Sequence, residues 1–173
     1  EFLASIKILK RPSGIVINGV NKQTWLNKYH YNNLIVNFDS LLEVEKLISL
    51  AKKCNWVIGL RYHPKVEVDP DNPLFTTQFG MTSDEVIEAK KIIESHSCSI
   101  STIHFHIGTQ VINAESYKNA IEETLNLCLK SKLCPHNFSC GGGFPIDYNY
   151  NNCKKQFLKD IIRYIKLIPQ KLK

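Results

Sequence analysis

Two residue patterns alternate from one end of the chain to the other: short β-rich runs, and longer segments whose apolar residues recur at helical spacing. The β-rich runs are Ile15 to Asn18, Leu34 to Phe38, Trp56 to Tyr62, Ile100 to His106 and Phe138 to Cys140. Most are nearly continuous in apolar residues, as strands covered on both faces should be. Helical patterns fall at about 1 to 10, 22 to 31, 41 to 53, 83 to 95, 114 to 132 and 153 to 169. Ser40 followed by Glu43 reads as a capping box, and Asn113 is placed to cap a helix whose Tyr117, Ala120, Ile121 and Leu125 share one face. Strand, helix, strand with short links requires parallel strands joined by right-handed crossovers, which leaves an α/β fold of two kinds, an open doubly wound sheet or a barrel. Five strands do not close the eight-stranded barrel of this type. If the fold is a parallel (β/α) barrel of TIM type, it is expected here as an incomplete run of about five β/α units.

Composition narrows the function classes. With 173 residues, 43% of them apolar and 22% charged, the chain has an ordinary globular make-up and length for one domain with a real core. Its longest apolar stretches, such as Trp56 to Leu60, fall far short of the roughly 20 residues of a membrane helix, and the start lacks a signal-peptide pattern. A cytoplasmic protein with no membrane partner is expected. The formal charge is +6, but the lysines are scattered through helical segments, with one concentration from Lys154 to Lys173. Solvated helix faces explain that better than nucleic-acid binding. Six cysteines, at 54, 98, 128, 134, 140 and 153, form no CxxC pair and no zinc-like spacing with histidine. Buried thiols in a reducing compartment, and no metal, are the expectation.

In both candidate architectures ligands bind beyond the C-terminal ends of the strands. Those ends carry Asn18 and Gly19, then Asp39 and Ser40, then Arg61 with His63, then His104 to Gln110, then Gly141 to Gly143. The triple glycine Gly141, Gly142 and Gly143 follows an apolar strand; glycines let backbone N–H groups approach an anion closely, which suits phosphate, although a tight turn has the same composition. In His104-Phe105-His106-Ile107-Gly108-Thr109-Gln110, strand alternation would point both histidines to one side, where they can move protons or stack on a flat ring. A metal there would need a third ligand that nothing nearby offers. Arg61 ends the apolar run Val57 to Leu60, so its charge either meets a carboxylate or phosphate, with Glu1 as one possible partner, or snorkels to the surface.

Taken in order, these segments resemble the barrel-type pyridoxal-phosphate decarboxylases that act on ornithine, lysine, arginine or diaminopimelate. Asn18-Gly19-Val20-Asn21-Lys22 resembles the family's Gly-Asn-Asn-Lys, Phe38-Asp39-Ser40 its Val/Phe-Asp-Ser turn, and Leu60-Arg61 its Leu-Arg strand end. Gln78-Phe79-Gly80-Met81 is similar to Lys-Phe-Gly, His104 to Gln110 to His-x-His-Ile-Gly-Ser-Gln, and Gly141 to Pro145 to Gly-Gly-Gly-Phe-Pro. The resemblance implies that His106 stacks on the ring of pyridoxal 5'-phosphate, that Thr109 hydrogen-bonds the cofactor where the family usually has serine, and that Gly141, Gly142 and Gly143 hold its phosphate. It also implies that Arg61 and Glu1 shape the cofactor pocket, Glu1 matching the glutamate of the family's Ser-x-x-Glu segment.

The same resemblance implies decarboxylation of a basic or diamino acid in polyamine or lysine biosynthesis, with a small-molecule amino acid as substrate and a homodimer as the full-length assembly. It places the Schiff-base lysine upstream of Glu1, and the acidic partner of the pyridine nitrogen and a C-terminal β-domain downstream of Lys173. Residues 1–173 are therefore expected to be part of a cofactor-binding barrel domain, with no catalytic residue assigned within them; Lys22 and Lys65 do not occupy the family's lysine position. Gln78 for the motif lysine and Ser139 for the aspartate before the glycines are departures. Two other readings fit less economically: a non-catalytic decarboxylase-like regulator that binds a protein partner, and an independent open-sheet phosphate binder.

Overall fold

A computed structural model describes residues 14–66, 79–109, 111, 113–144 and the positions 159, 162, 163 and 166. The strands are β1 (Val16–Ile17), β2 (Ile35–Phe38), β3 (Val57–Arg61), β4 (Ile100–His104) and β5 (Asn137–Ser139), and the α-helices are α1 (Leu41–Lys53), α2 (Ser83–Ser95) and α3 (Ala114–Ser131). The five parallel strands lie side by side in chain order, β1-β2-β3-β4-β5. That order decides between the two architectures left open by the pattern. A doubly wound sheet reverses direction at a switch point, whereas a barrel advances by one strand at each crossover. The fold is a run of β/α units of the TIM-barrel type.

Two compact units divide the chain. The first comprises Glu1–Tyr62, Gly80–His104 and Pro135–Phe138. Its register pairs Ile35 with Val57, Phe38 with Leu60 and Arg61 with His104, with a shift between Ile58 and Gly59. Phe38, Leu47, Leu60 and Ile93 are wholly buried, each worth about 1.5–3 kcal/mol relative to an exposed side chain. Helix α1 packs on α2, as successive crossovers covering one sheet face should. The Asn37 amide, also buried, donates to Asn18 at 2.7 Å.

Helix starts follow their capping chemistry. Ser40 Oγ accepts from the Glu43 amide at 3.3 Å, but the Glu43 carboxylate turns to the Asp39 amide instead of closing the box on Ser40. Thr82 and Glu85 form the complete box at the start of α2. Asn113 caps α3 by accepting from the Glu115 amide at 3.0 Å.

The segment expected as a helix over 22 to 31 is different: it forms two short 3-10 turns, Lys22–Thr24 and Leu26–Lys28. Asn21, at φ 62, is left-handed, and the Lys22 amide is held by the Glu43 carboxylate, so a contact distant in sequence overrides the helical spacing. Strand β4 is also shorter than the run 100 to 106, stopping at His104. The expected helix at 1 to 10 lies outside the described residues; of the one at 153 to 169, Lys159, Ile162 and Arg163 are described and helical.

The second unit comprises His63–Phe79, Phe105–Cys134 and Ser139–Lys173. Its core is the inner face of α3, with Tyr117, Ala120, Ile121, Leu125 and Cys128 buried, together with Phe105, Ile107, Val111 and Leu133. The first four are among the positions that the helical spacing groups on one face. None of the described helices is long and apolar enough to cross a membrane.

Candidate functional site

In the first unit the ends of β1, β2 and β3 carry a chain of buried charges. Lys22, wholly buried, meets Glu43 with Nζ 2.7 Å from Oε2, and its Nζ also donates to the Gly19 carbonyl. Glu43 accepts from the Lys22 amide at 2.9 Å and from the Asp39 amide at 2.8 Å, so three donors meet one carboxylate. Burial pulls the Lys22 ammonium below its ordinary range, against the hydrogen bond and charge of Glu43, which raise it. Asp39 in turn accepts from Arg61 Nη1 at 2.8 Å and from the Gly80 amide at 3.2 Å. The Met81 amide closes on the Arg61 carbonyl at 2.8 Å, so the strand-end arginine is held at both its side chain and its backbone.

Arg61 thus meets a carboxylate, as its burial requires. That carboxylate belongs to Asp39; Glu1, the partner suggested by sequence, lies outside the described residues. Sequence reasoning placed Asp39 at a strand end without giving it a role, and missed the Lys22–Glu43 pair, because lysine and glutamate in helix-like segments ordinarily face water. The Phe-Asp-Ser turn, set one strand away from an arginine that ends an apolar run, was the signal that could have found Asp39.

In the second unit the backbone beyond β4 packs against the glycine loop. The Phe105 amide donates to the Ser139 carbonyl at 3.0 Å and the Val111 amide to the Gly143 carbonyl at 2.9 Å. Between these ties the loop comes so close that side chains are excluded. A Cβ on Gly141 would stand 2.5 Å from the Phe105 carbonyl oxygen, and one on Gly143 would stand 1.7 Å from that of Gly108. Both glycines also have left-handed φ, 69° and 88°. Gly142, by contrast, is exposed and has nothing within 4 Å of its Cβ position.

His106 lies in this segment past the strand, half-buried, and not on β4 as the strand alternation would have it; His104 is the residue that ends β4, and it is buried. The Gly142 amide donates to His106 Nδ1 at 3.3 Å. A backbone N–H can only donate, so Nδ1 is the unprotonated nitrogen and the neutral ring carries its proton on Nε2. Thr109 is exposed, and neither its hydroxyl nor the Gly143 N–H has a hydrogen-bond partner among the described residues. The two are neighbours, since a Gly143 Cβ would be 3.3 Å from Thr109 Cα. Two unclaimed donors beside the open side of Gly142 suit a phosphate. No set of three His, Cys, Asp or Glu side chains among the described residues is grouped to hold a metal ion.

The model of one protein family, described as "Pyridoxal-dependent decarboxylase, pyridoxal binding domain", matches residues 4–172. The chain belongs to this family. The cofactor of the family is pyridoxal phosphate. Among curated relatives, the domain is 23% identical to a biosynthetic arginine decarboxylase of Geobacter sp. (strain M21) over 79% of this chain and 24% of that protein. It is 25% identical to a diaminopimelate decarboxylase of Bacteroides thetaiotaomicron over 100% of this chain and 47% of that protein. Among solved structures, diaminopimelate decarboxylase from Helicobacter pylori complexed with L-lysine superposes with a TM-score of 0.72 at 20% identity, covering 95% of this chain and 46% of the other. Lysine/ornithine decarboxylase from Vibrio vulnificus complexed with cadaverine gives 0.70 at 19% identity, covering 98% and 44%. The chain therefore spans between about a quarter and a half of the length of these relatives.

Of the two departures from the family motifs, Gln78 lies outside the described residues, and Ser139 sits at the end of β5 with its carbonyl accepting from Phe105. Lys65 is exposed.

Proposed function

We propose that this chain supplies the cofactor-binding β/α portion of a pyridoxal-phosphate-dependent decarboxylase acting on a basic or diamino acid. The observation that carries the reading is the pair of unclaimed donors, Thr109 hydroxyl and Gly143 N–H, set beside the open Gly142 in a chain of the pyridoxal-binding family. Thr109 and the loop Gly141 to Gly143 would hold the phosphate. Outer glycines Gly141 and Gly143 let the loop press against residues 105–109, and the middle one leaves the anion its space. His106, with Nδ1 taken by the loop, keeps a neutral ring face for stacking on the pyridine.

In the first unit Arg61 is held by the Asp39 carboxylate and, through its carbonyl, by the Met81 amide, which fixes its guanidinium at the end of β3. When bound, pyridoxal phosphate supplies an electron sink for the pair left behind as the substrate carboxylate departs as CO₂. The amine that binds the cofactor covalently is not Lys22, whose Nζ is buried on Glu43 and the Gly19 carbonyl. A homodimer is the assembly we propose for the whole protein.

The test uses the full-length protein that carries this chain. Titration with pyridoxal phosphate, followed by absorbance and fluorescence, is paired with a CO₂-release assay on ornithine, lysine, arginine and diaminopimelate. Saturable cofactor binding with CO₂ release from one of the four is the expected result. Cofactor binding without release from any would favour a non-catalytic binding relative, and no cofactor binding would overturn the reading.

A further inference from the structure

Tyr117 stands on α3, four residues past its Asn113 cap, and is wholly buried. Its hydroxyl donates to the Gly142 carbonyl at 2.7 Å, and its ring stacks on Phe144, 5.1 Å between centroids and 22° between planes. The two contacts bracket Gly143, one on the residue before it and one on the residue after.

The carbonyl of Gly142 and the N–H of Gly143 belong to the same peptide plane. In a trans peptide these two groups point in opposite directions, and there is no cis bond among the described residues. A carbonyl fixed toward Tyr117 therefore turns the Gly143 N–H away from it. That N–H has no acceptor among the described residues, whereas the Gly142 N–H is spent on His106. Glycine peptides flip readily when nothing holds them, because neither neighbour has a Cβ to resist.

We infer that Tyr117 is the positioning residue of the anion-binding loop: its phenol locks the Gly142–Gly143 peptide so that the Gly143 N–H is preset, beside the Thr109 hydroxyl, to receive the cofactor's phosphate. The inference rests on the cofactor reading above and adds a residue to it. Preorganisation of this kind raises affinity by removing the cost of ordering the donor on binding. A phenylalanine would keep the ring and its stack on Phe144 but leave the Gly142 carbonyl without this donor. Burial also keeps the phenol protonated, its pKa pushed up to about 12, so it remains a donor at every ordinary pH.

The experiment is Tyr117→Phe in the full-length protein, with the dissociation constants of pyridoxal phosphate and of pyridoxal measured side by side for variant and wild type. Pyridoxal shares the ring and aldehyde but lacks the phosphate. Binding of pyridoxal phosphate should weaken by about fivefold to tenfold, the worth of one net hydrogen bond, while pyridoxal binding stays unchanged and shows that the pocket is intact. Equal weakening of both ligands, or no change in either, overturns the role of Tyr117 while the wild-type affinity leaves the cofactor reading standing. A wild type that binds neither ligand overturns both.

Discussion

Replacing Gly143 by alanine sets two backbones in conflict. The new Cβ would stand 1.7 Å from the Gly108 carbonyl oxygen and 2.8 Å from its carbon, where side-chain carbons essentially never come within 3.0 Å. The obstacle is main chain, so no rotamer change relieves it. Separating the two segments to accept the methyl also stretches the 2.9 Å bond from the Val111 amide to the Gly143 carbonyl. Holding a non-glycine residue at φ 88° costs about 1–2 kcal/mol, overpacking about 1–3 kcal/mol and the weakened hydrogen bond about 1 kcal/mol. The expected loss is roughly 3–6 kcal/mol, a large share of an ordinary domain's stability. Gly142→Ala is the control: its Cβ position is empty to 4 Å and its φ is not left-handed, so its loss should stay within about 0.5 kcal/mol. Urea denaturation of the two variants of the full-length protein, read as midpoints at constant slope, measures the difference. If Gly143→Ala and Gly142→Ala unfold within about 1 kcal/mol of each other, the packing argument is wrong.

Glu43→Gln leaves the buried Lys22 amine without its counter-charge, and the loss should be about 3–5 kcal/mol by urea denaturation; a loss below about 1 kcal/mol would mean the pair is solvated. Tyr117 ionises near pH 10 in the unfolded chain and at about 12 when folded, so the folded state favours its protonated form; the stability it contributes is complete below pH 10 and drains away as pH rises to 12. Alkaline unfolding followed by tyrosinate absorbance should therefore show a component that Tyr117→Phe removes. Among the five described cysteines, exposed Cys134 should be labelled first by a thiol reagent at pH 8, while Cys128 and Cys140, whose thiols burial raises to about 11, should react far more slowly. Mass mapping that finds Cys128 labelled as fast as Cys134 would contradict the burial.

How much could be read beforehand varies with how local the cause is. The bounds of α1 and α2 coincide with the helical spacing at 41 to 53 and 83 to 95, because caps and period are local properties of the chain. Asn113 capped as its side chain allows. The family and its cofactor were also legible, since they rest on short motifs in a set order. Where the spacing misled, at 22 to 31, the cause was Glu43, 21 residues from Lys22. The two histidines drew a similar error, because alternation says which way residues point within a strand but not where the strand ends.

The alternation of strands and helices, the caps and the order of the motifs are written in residues a few positions apart. The rest arises from contacts between segments far apart in the chain. The advancing strand order that marks a barrel is a pairing of distant segments. So is the partnership of Arg61 with Asp39 and of Lys22 with Glu43. The division of labour among three identical glycines has the same origin. Two of them press against the segment from Phe105 to Thr109 and one faces open space, a distinction set by what folds against each residue and invisible in the residues themselves.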